Sequence, residues 1–294
     1  MQTIAILGLG LMGTAIAARL GGAGHPLIGY DVDAGKRAAF AGPGRAAAAS
    51  IVAAVAQADL LVLAVFDTGQ VEQVTEGPDG IGAAARAAGK RVSVICTSTC
   101  DPDRIAALAP RLAALQVDFV ELPISGTSAQ VARGEGVGLI GGAPAAVEEV
   151  QAVIAVICPR HHYLGAAGNG GRAKLAVNLV LGLNRAALAE GIAFAERAGL
   201  AAEQFFPVVR ESAAYSAVMD TKGRNMVARS FDAPQSRVDQ SLKDFRLMLE
   251  YAQRHGQQLP FADLYAAMLD DCVAHGEAQW DNAAIVEALR RRRS

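Results

Sequence analysis

The stretch TIAILGLGLMG at residues 3–13 decides the fold of the first half of the chain. It opens with a short apolar run of strand character, and residues 11–20 follow with a helical pattern of small and apolar residues on one face. Gly8, Gly10 and Gly13 join the two segments in the spacing G-x-G-x-x-G. In such a turn the first glycine permits the tight bend, the second lets a pyrophosphate approach the backbone, and the third lets helix and strand pack closely.

An acid follows this turn at the distance that a dinucleotide-binding fold requires. Asp31 closes a second apolar run, residues 26–30, about 20 residues after the last glycine. A carboxylate there accepts hydrogen bonds from both ribose hydroxyls, whereas a 2′-phosphate would meet a like charge. We therefore expect a nicotinamide dinucleotide whose phosphates bind the free N–H groups of the helix start, with NAD favoured over NADP. The glycine spacing without this context would equally suit an ordinary structural turn.

The composition has no signature of a nucleic-acid or membrane partner. Of the 294 residues 52% are hydrophobic, which suffices for a sizeable core in one large or two ordinary domains. The formal net charge of −2 gives no reason to propose nucleic acid as a partner. No apolar run has the length of a membrane span and no basic signal-peptide region opens the chain, so we expect a cytoplasmic protein.

The spacing of cysteines and histidines predicts no metal site. Cys96, Cys100, Cys158 and Cys272 form no C-x-x-C pair, and the adjacent His161 and His162 would point to opposite faces of a strand. We expect reduced, mostly buried thiols, which is the usual state of cysteine in the cytosol.

Short apolar runs alternate with helical stretches through the first half of the chain. This alternation predicts an α/β domain at residues 1–164, with a Rossmann-type, doubly wound, mostly parallel sheet and helices on both faces. Ligands of such sheets bind at the carboxyl ends of the strands, where residues 65–68 and 96–99 form two loops. The predicted strands are residues 3–7, 27–31, 60–64, 91–95, 118–121, 136–140 and 162–164.

A different pattern, without convincing strands, fills residues 165–294 and predicts an all-α C-terminal domain. Residues 174–197 form one long helical pattern that is apolar nearly all round. We expect this helix to be buried on every face, within its domain, in a subunit contact, or in both. The four arginines at 290–293 are expected to form a solvated chain end. Further helices are predicted at residues 203–211, 215–228, 235–254 and 260–276.

Two polar residues interrupt the long apolar helix at a spacing that places them on one face. Lys174 and Asn178 are four residues apart, and a buried polar group that lacks a partner is costly. One interpretation is a lysine that extends to water at the helix start, together with a capping-type hydrogen bond. The other is a proton-transfer lysine with an asparagine that orients a substrate.

Three shorter segments carry polar groups that suit either a structural or a functional role. The loop PISGTS at residues 123–128 exposes backbone N–H groups and hydroxyls that suit a carboxylate, or forms a Ser/Gly turn with a helix N-cap at Thr127 or Ser128. Lys243 beside Asp244 would, taken alone, be a surface ion pair. Residues 98–99 alone would be a turn before the next helix.

Together these segments resemble the β-hydroxyacid dehydrogenase family, which includes 3-hydroxyisobutyrate dehydrogenases and tartronate semialdehyde reductases. Residues 8–13 resemble its cofactor signature, and Ser98-Thr99 with Pro102 resembles its S-T-x-x-P loop. Residues 123–126 resemble its substrate loop, and residues 168–178 resemble its catalytic signature, with a lysine and an asparagine four apart. Lys243-Asp244 resembles the late K-D pair, so the motifs occur in family order over nearly the whole chain.

The resemblance implies a role for each matching residue. Lys174 would be the catalytic acid and base, and Asn178 would help to place the reacting oxygen. The substrate carboxylate would be held by Ser125, Gly126 and Thr127. Family members form dimers or tetramers through the helical domain, which implies a homodimer or homotetramer here. The cofactor would be lined by Gly8, Gly10, Leu11, Met12, Gly13, Asp31, Val65, Phe66 and Thr99, with Lys243 near the nicotinamide.

The chain departs from the family pattern at three positions. Thr127 stands where the family has the second glycine of the substrate loop, so the pocket is narrower and gains a hydroxyl. Val177 stands where the family has the first of two asparagines, and Phe66 replaces a proline. The related 6-phosphogluconate dehydrogenases are much longer and carry a histidine at the position of Val177. We therefore do not expect 6-phosphogluconate to be the substrate.

The resulting expectation is reversible hydride transfer between NAD and a small 3-hydroxy acid or its semialdehyde or keto form. Imine reductases resemble this architecture but carry an aspartate or a tyrosine where this chain has Lys174. A catalytically silent dinucleotide-binding protein is the second alternative, and it would have no need of the set Lys174, Asn178 and Ser125.

Overall fold

A nine-stranded sheet forms the centre of the first of the two units, Met1–Lys174, into which the chain divides. The computed structural model describes residues 1–292. The strands are β1 Ile4–Leu7, β2 Leu27–Tyr30, β3 Arg45–Ala47, β4 Leu60–Leu63, β5 Val92–Cys96, β6 Val117–Glu121, β7 Ile124–Ser125, β8 Val137–Gly142 and β9 Arg160–Tyr163. The helices of this unit are α1 Leu11–Gly22, α2 Ala34–Phe40, α3 Ile51–Gln57, α4 Thr68–Glu76, α5 Ile81–Ala88, α6 Pro102–Ala113, α7 Ser128–Ala132 and α8 Pro144–Ile157.

The strand order confirms the predicted doubly wound architecture. The sheet runs β3-β2-β1-β4-β5-β6-β8-β7, with β9 beside β8, and its first six strands are parallel. That part has the order of a dinucleotide-binding sheet. β8 is antiparallel to β6 and to β7, and β9 is parallel to β8. The sequence did not predict β3 and β7, because three and two residues are too short to produce an apolar run.

Both faces of the sheet are covered, which explains why its strands are apolar without alternation. In β1 the side chains of Ile4 and Ile6 belong to one core, with residues of α1 and α8. Those of Ala5 and Leu7 belong to the other, with residues of α3, α5 and α6. A parallel strand with a helical layer on each side is apolar at every position.

The second unit, from Leu175 onward, contains helices and no strand among its described residues. Its core includes Leu188, Ile192, Phe245 and Tyr265, and the two aromatic rings meet edge to face with centroids 4.5 Å apart. A Cβ at Gly182 would lie 2.4 Å from the Phe245 ring, so only glycine allows this packing. The helices are α9 Asn169–Arg197, which begins in the first unit, α10 Ala202–Glu211, α11 Arg224–Ala228, α12 Val238–Arg254, α13 Pro260–Ala274 and α14 Ile285–Arg291, with a π-helical turn at Met219–Gly223 and a 3₁₀ turn at Asn282–Ala284.

The expectation that α9 is buried on every face is wrong for the single chain. Val180 is 60% exposed and Phe194 is 74% exposed, because nothing within residues 1–292 covers these side chains. Among residues 1–292, α9 is also the one helix whose length and mean hydropathy, 1.3 over 18 residues, would allow it to cross a membrane. That similarity in length and composition is weak support for a membrane span, since core helices of soluble proteins share it.

The expectation of a solvated arginine tail is wrong for its first two members. Arg290 forms ion pairs with Glu196 and Glu287, and Arg291 forms ion pairs with Asp271 and Glu277. Both lie in α14, so these pairs fasten the last helix to its neighbours rather than leaving the end free. Arg293 lies outside the described residues.

Candidate active site

The glycine-rich turn has the geometry that a bound dinucleotide requires. Gly8 has φ +100°, and a Cβ there would lie 2.5 Å from the Ala64 carbonyl oxygen. A Cβ at Gly13 would lie 1.9 Å from the Gly8 oxygen, so both positions exclude any side chain. Gly10 caps α1 and has open space around it, and α1 has no acidic residue in its first turn. A phosphate can therefore reach the N–H groups of the helix start, and the residues present fit the dinucleotide.

Leu11 and Met12 lie in the first turn of α1, directly after this open position. Leu11 is 44% exposed, while Met12 is half-buried and packs against the core between the sheet and α1. Both therefore lie at the same helix start as Gly10.

Asp31 joins the glycine turn to the end of β2. Its Oδ2 accepts a hydrogen bond from the Leu9 N–H at 2.8 Å, and its Oδ1 accepts one from the Asp33 N–H at 2.9 Å. Burial by itself would raise the pKa of Asp31, but the two backbone hydrogen bonds and the Lys36 ammonium, 3.6 Å away, hold that pKa below its usual value. The carboxylate is therefore ionised, in the position expected for a ribose ligand.

The loops after β4 and β5 are joined by hydrogen bonds at the same edge of the sheet. The Ser98 hydroxyl donates to the Val65 carbonyl at 2.7 Å, and the Asp101 N–H donates to the Thr68 hydroxyl at 2.9 Å. Phe66 is 36% exposed, and its N–H donates to the Gln70 side chain at 2.9 Å. The structure thus places Val65, Phe66 and, one residue after Ser98, Thr99 beyond the carboxyl ends of neighbouring parallel strands, β4 and β5.

The loop after β6 contains both the expected substrate residues and a helix cap. Ser125 ends β7, and Gly126 has φ +145°. Thr127 forms a capping box at the start of α7, because its N–H donates to Gln130 Oε1 at 2.9 Å and its hydroxyl accepts from the Gln130 N–H at 3.3 Å. Thr127 is therefore the N-cap of α7, as one of the two interpretations of this loop predicted. A contact of the loop with a substrate stays a prediction.

Lys174 lies in the first two turns of α9 and is only 7% exposed. Its Nζ donates a hydrogen bond of 2.6 Å to the carbonyl oxygen of Ile124, the residue before Ser125. The lysine therefore does not extend to water, and its amine lies beside the substrate-loop residues. A buried ammonium requires such a partner, since an unpaired one is very costly.

A buried acid, Glu121, is the residue of this region that the sequence analysis missed. Its Oε1 accepts from the Gly170 N–H at 2.8 Å and its Oε2 accepts from the Gly171 N–H at 3.1 Å, at the start of α9. The signal that could have found it is an acid directly after the apolar pair Phe119 and Val120, two residues before Pro123. Burial raises the pKa of Glu121 to about 7, although hydrogen bonds from the backbone of Gly170, Gly171 and Gly168 oppose that rise.

In the second unit, Asn178 and Lys243 meet through Asp244. Asn178 Nδ2 donates to Asp244 Oδ2 at 3.1 Å, and Lys243 Nζ lies 2.9 Å from Asp244 Oδ1. The expectation of a surface ion pair is wrong, because the side chains of Lys243 and Asp244 are only 19% and 13% exposed. Asp244 itself was not predicted as a site residue. Because it accepts from the amide nitrogen of Asn178, it orients that amide so that the oxygen faces away from the carboxylate.

The cysteines form no disulfide among residues 1–292. All four are buried free thiols, and burial raises the pKa values of Cys158 and Cys272 to about 12. Within residues 1–292 no group of three or more His, Cys, Asp and Glu side chains is placed to hold a metal ion.

Two protein-family descriptions together match nearly all of the chain. Residues 3–165 match the NAD binding domain of 6-phosphogluconate dehydrogenase, and residues 168–289 match the family described as NAD-binding of NADP-dependent 3-hydroxyisobutyrate dehydrogenase. The chain is 27% identical to 2-hydroxy-3-oxopropionate reductase of Escherichia coli (strain K12), over 97% of its own length and 96% of the relative's. It is 30% identical to a probable 3-hydroxyisobutyrate dehydrogenase of Mycobacterium tuberculosis, over 99% of both. The crystal structure of 3-hydroxyisobutyrate dehydrogenase from Salmonella typhimurium superposes with a TM-score of 0.87 at 27% identity, covering 98% of this chain and 99% of that one.

Proposed function

The chain belongs to the β-hydroxyacid dehydrogenase family, and from that premise we propose that it interconverts a small 3-hydroxy acid and its semialdehyde or keto form, with NAD as cofactor and Lys174 as acid and base. It is a nicotinamide-dependent oxidoreductase that acts on the hydroxyl group of hydroxy acids. The comparisons support this activity over an imine reductase or a catalytically silent dinucleotide-binding protein. The observation that carries the assignment of Lys174 is its buried amine, 2.6 Å from the carbonyl oxygen of Ile124.

The cofactor is a nicotinamide dinucleotide, and the preference for NAD is the proposed part. It rests on the ionised carboxylate of Asp31, which would repel a 2′-phosphate. Val32, the next residue, supplies no cation for such a phosphate, and the two cations nearby already have partners: Lys36 lies 3.6 Å from the Asp31 carboxylate, and Arg37 donates to the Asp31 and Val32 carbonyls. Gly8, Gly10, Leu11, Met12, Gly13, Val65, Phe66 and Thr99 would hold the rest of the dinucleotide, with Lys243 beside the nicotinamide. The bound nicotinamide supplies the capacity to accept or return a hydride.

Lys174 moves the proton that accompanies the change at the substrate carbon. In oxidation its amine takes the proton from the substrate hydroxyl, and in reduction its ammonium gives a proton to the oxygen that forms there. The hydrogen bond to Ile124 orients Nζ before a substrate arrives. Such preorganisation matters because a displacement of about 1 Å can lower a rate about 100-fold.

A small carboxylate is the substrate class that the loop after β6 suits. Ser125 and Gly126 would present a hydroxyl and a backbone N–H to the carboxylate, and the hydroxyl hydrogen of Thr127 is still available as a donor. Asn178, whose amide nitrogen donates to Asp244, would place the reacting oxygen. The relatives that the chain resembles are named for 3-hydroxyisobutyrate and for 2-hydroxy-3-oxopropionate, both small acids with an oxygen function at the third carbon.

The wider organisation is proposed from the same observations. Residues 1–164 would bind the cofactor, and residues 165–294 would contribute to substrate binding and hold a homodimer or homotetramer together. The exposed apolar side chains of α9, among them Val180 and Phe194, support a contact with a second copy. Four buried free thiols suit the reducing environment of the cytoplasm.

The experiment that tests the function is a panel of hydroxy acids with three to six carbons, followed by NADH absorbance. We expect turnover of at least one member, and in Lys174→Met a loss of kcat of about 100- to 10,000-fold with unchanged NAD affinity. Lys90→Met is the control, because Lys90 is half-buried beside Asp59, outside the candidate site, and its loss should leave full activity. Turnover of cyclic imines instead, or tight NAD binding without turnover of any hydroxy acid, would contradict the proposal.

A further inference from the structure

The start of α9 is fastened to the end of β6 by the side chain of Glu121. The two carboxylate oxygens of Glu121 accept hydrogen bonds from the N–H groups of Gly170 and Gly171, at 2.8 and 3.1 Å. These donors belong to the helix turn that precedes Lys174. N–H groups in the first turn of a helix have no partner within the helix, so a carboxylate there is both a hydrogen-bond partner and a counter-charge to the helix dipole.

The space around this carboxylate is built to hold it in one place. A Cβ at Gly141 of β8 would lie 2.0 Å from Glu121 Oε1, and a Cβ at Gly170 would lie 3.1 Å from the carboxyl carbon. Glycines on two sides thus let the acid reach the helix backbone while it stays 4% exposed. A merely solvated glutamate would need neither glycine.

Lys174 is held at both ends by the same stretch of chain. Gly170 lies one helical turn before Lys174. By holding Gly170, the Glu121 carboxylate therefore also determines the position of the Lys174 backbone. Three residues after Glu121, the Ile124 carbonyl accepts the lysine Nζ. From this geometry we infer that Glu121 is a positioning residue, whose ionised carboxylate fixes the start of α9 so that the amine of Lys174 occupies its catalytic place. This role rests on the proposed function of Lys174.

The charge on Glu121 is balanced finely enough to change near neutral pH. Its pKa is raised by burial to about 7. Among the charged groups on the elements packed against it, Arg172 of α9 favours the ionised form and is itself paired with Asp103 of α6. Lys174 follows on α9, and the buried thiol of Cys96 lies opposite on β5. The charged residues of α5 and α8, which are Arg86, Glu148 and Glu149, are exposed to solvent.

Protonation removes the negative charge of the acid and places a hydrogen on one of its oxygens, so the hydrogen bonds that it accepts from the backbone N–H groups become weaker. The fastening of α9 is then weakened, and kcat should fall as the pH drops through about 7. The reductive direction isolates this effect, because there Lys174 must carry a proton and low pH cannot inactivate it by protonation.

The test compares Glu121→Gln with Glu135→Gln, a control at an exposed glutamate paired with Arg133. We expect Glu121→Gln to lower kcat about 10- to 100-fold with little change in the KM for the cofactor, since a small misplacement costs a rate of that order. We also expect it to abolish the acidic limb of the kcat profile between pH 5.5 and 8.5. Glu121→Asp keeps the charge at a shorter reach, so it should lower kcat less and retain the limb. A wild-type kcat or an unchanged limb in Glu121→Gln would overturn the inference.

A second measurement needs neither a variant nor a known substrate. In the ¹⁵N-glycine-labelled wild-type protein, the amide signals of Gly170 and Gly171 should titrate together with an apparent pKa near 7. Amide signals that stay constant between pH 5 and 9 would overturn the role of Glu121 even if the variants fail to fold. A failure of the proposed function is distinguishable, because then Lys174→Met would retain activity, or the wild type would have none, while these amides still titrate.

Discussion

The carboxylate of Asp31 accepts a hydrogen bond from the backbone N–H of Leu9 at 2.8 Å, although the two residues are 22 positions apart. Leu9 lies inside the glycine-rich turn and Asp31 follows β2, so one side chain holds together the two segments that the dinucleotide would contact. The second carboxylate oxygen receives the Asp33 N–H at 2.9 Å. The acid proposed to select NAD is therefore also part of the structure of the turn.

The first prediction concerns cofactor preference. Asp31→Asn removes the negative charge and one acceptor, so we expect kcat/KM with NAD to fall and the NAD-to-NADP ratio of kcat/KM to drop about 10-fold, the equivalent of about 1.4 kcal/mol. Asp33→Asn is the matched control, because Asp33 caps α2 and asparagine caps a helix equally well. A wild-type enzyme that prefers NADP would show that the interpretation of Asp31 is wrong.

The second prediction separates the two roles of Thr127. Thr127→Ala removes the hydroxyl that caps α7 and should lower the free energy of unfolding by about 1 kcal/mol. If the hydroxyl also contacts the substrate, the KM for the hydroxy acid rises several-fold while the KM for NAD is unchanged. Ser50→Ala is the control, since Ser50 caps α3 by the same kind of bond, 3.1 Å to the Ala53 N–H. Equal KM values for the hydroxy acid in the two variants would show that the Thr127 hydroxyl caps α7 and does not contact the substrate.

The third prediction concerns a buried ion pair of the second unit. Lys222 Nζ lies 2.8 and 2.7 Å from the two oxygens of Asp281, and both side chains are almost fully buried. Burial lowers the pKa of Lys222 to about 8, against the opposing effect of Asp281. Lys222→Met leaves the Asp281 charge buried and without its cation, so we expect a loss of about 3 kcal/mol in urea unfolding. Lys90→Met, at a half-buried lysine whose partner Asp59 is 83% exposed, should lose less than about 1 kcal/mol. A similar loss in both variants would contradict the prediction.

The fourth prediction concerns the exposed face of α9. Val180→Asp places a charge on an apolar side chain that is 60% exposed in the single chain, so an assembly through this face should dissociate. Light scattering after size exclusion should give a multiple of the monomer mass for the wild type and the monomer mass for the variant. Val52→Asp, at a 46% exposed valine on α3, should leave the assembly intact. A monomeric wild type would rule out the proposed assembly.

The sequence predicted the parts of the fold that depend on local pattern. Strands β1, β2, β4, β5, β6 and β8, and the long helix of the second half, produced apolar runs of recognisable period, and the structure confirms the architecture they define. The strands β3 and β7 escaped because they are short. The start of α9 was expected at Lys174 and lies at Asn169, because helix propensity disfavours Gly170 and Gly171, while a distant carboxylate stabilises them in the helix.

For the candidate site, residue type and spacing were enough to select Asp31, Lys174 and Asn178, because each is a polar residue in an apolar pattern. They were not enough to find Glu121 or Asp244, whose importance lies in what they contact 49 and 66 positions away. Nor could they decide between a surface pair and a partly buried pair at Lys243, since burial depends on which elements pack over a helix.

By itself, then, the sequence determined the dinucleotide-binding turn, the alternation of strands and helices, and the family, because these follow from the local periodicity of apolar residues and from fixed glycine positions. Only the tertiary structure decided where the charges of the site lie. A carboxylate or an ammonium inside a protein is stable only beside its partner, and those partners come from segments that the fold brings together. The hydrogen bonds from Lys174 to Ile124 and from Gly170 to Glu121 are such contacts, each between residues 50 or 49 positions apart.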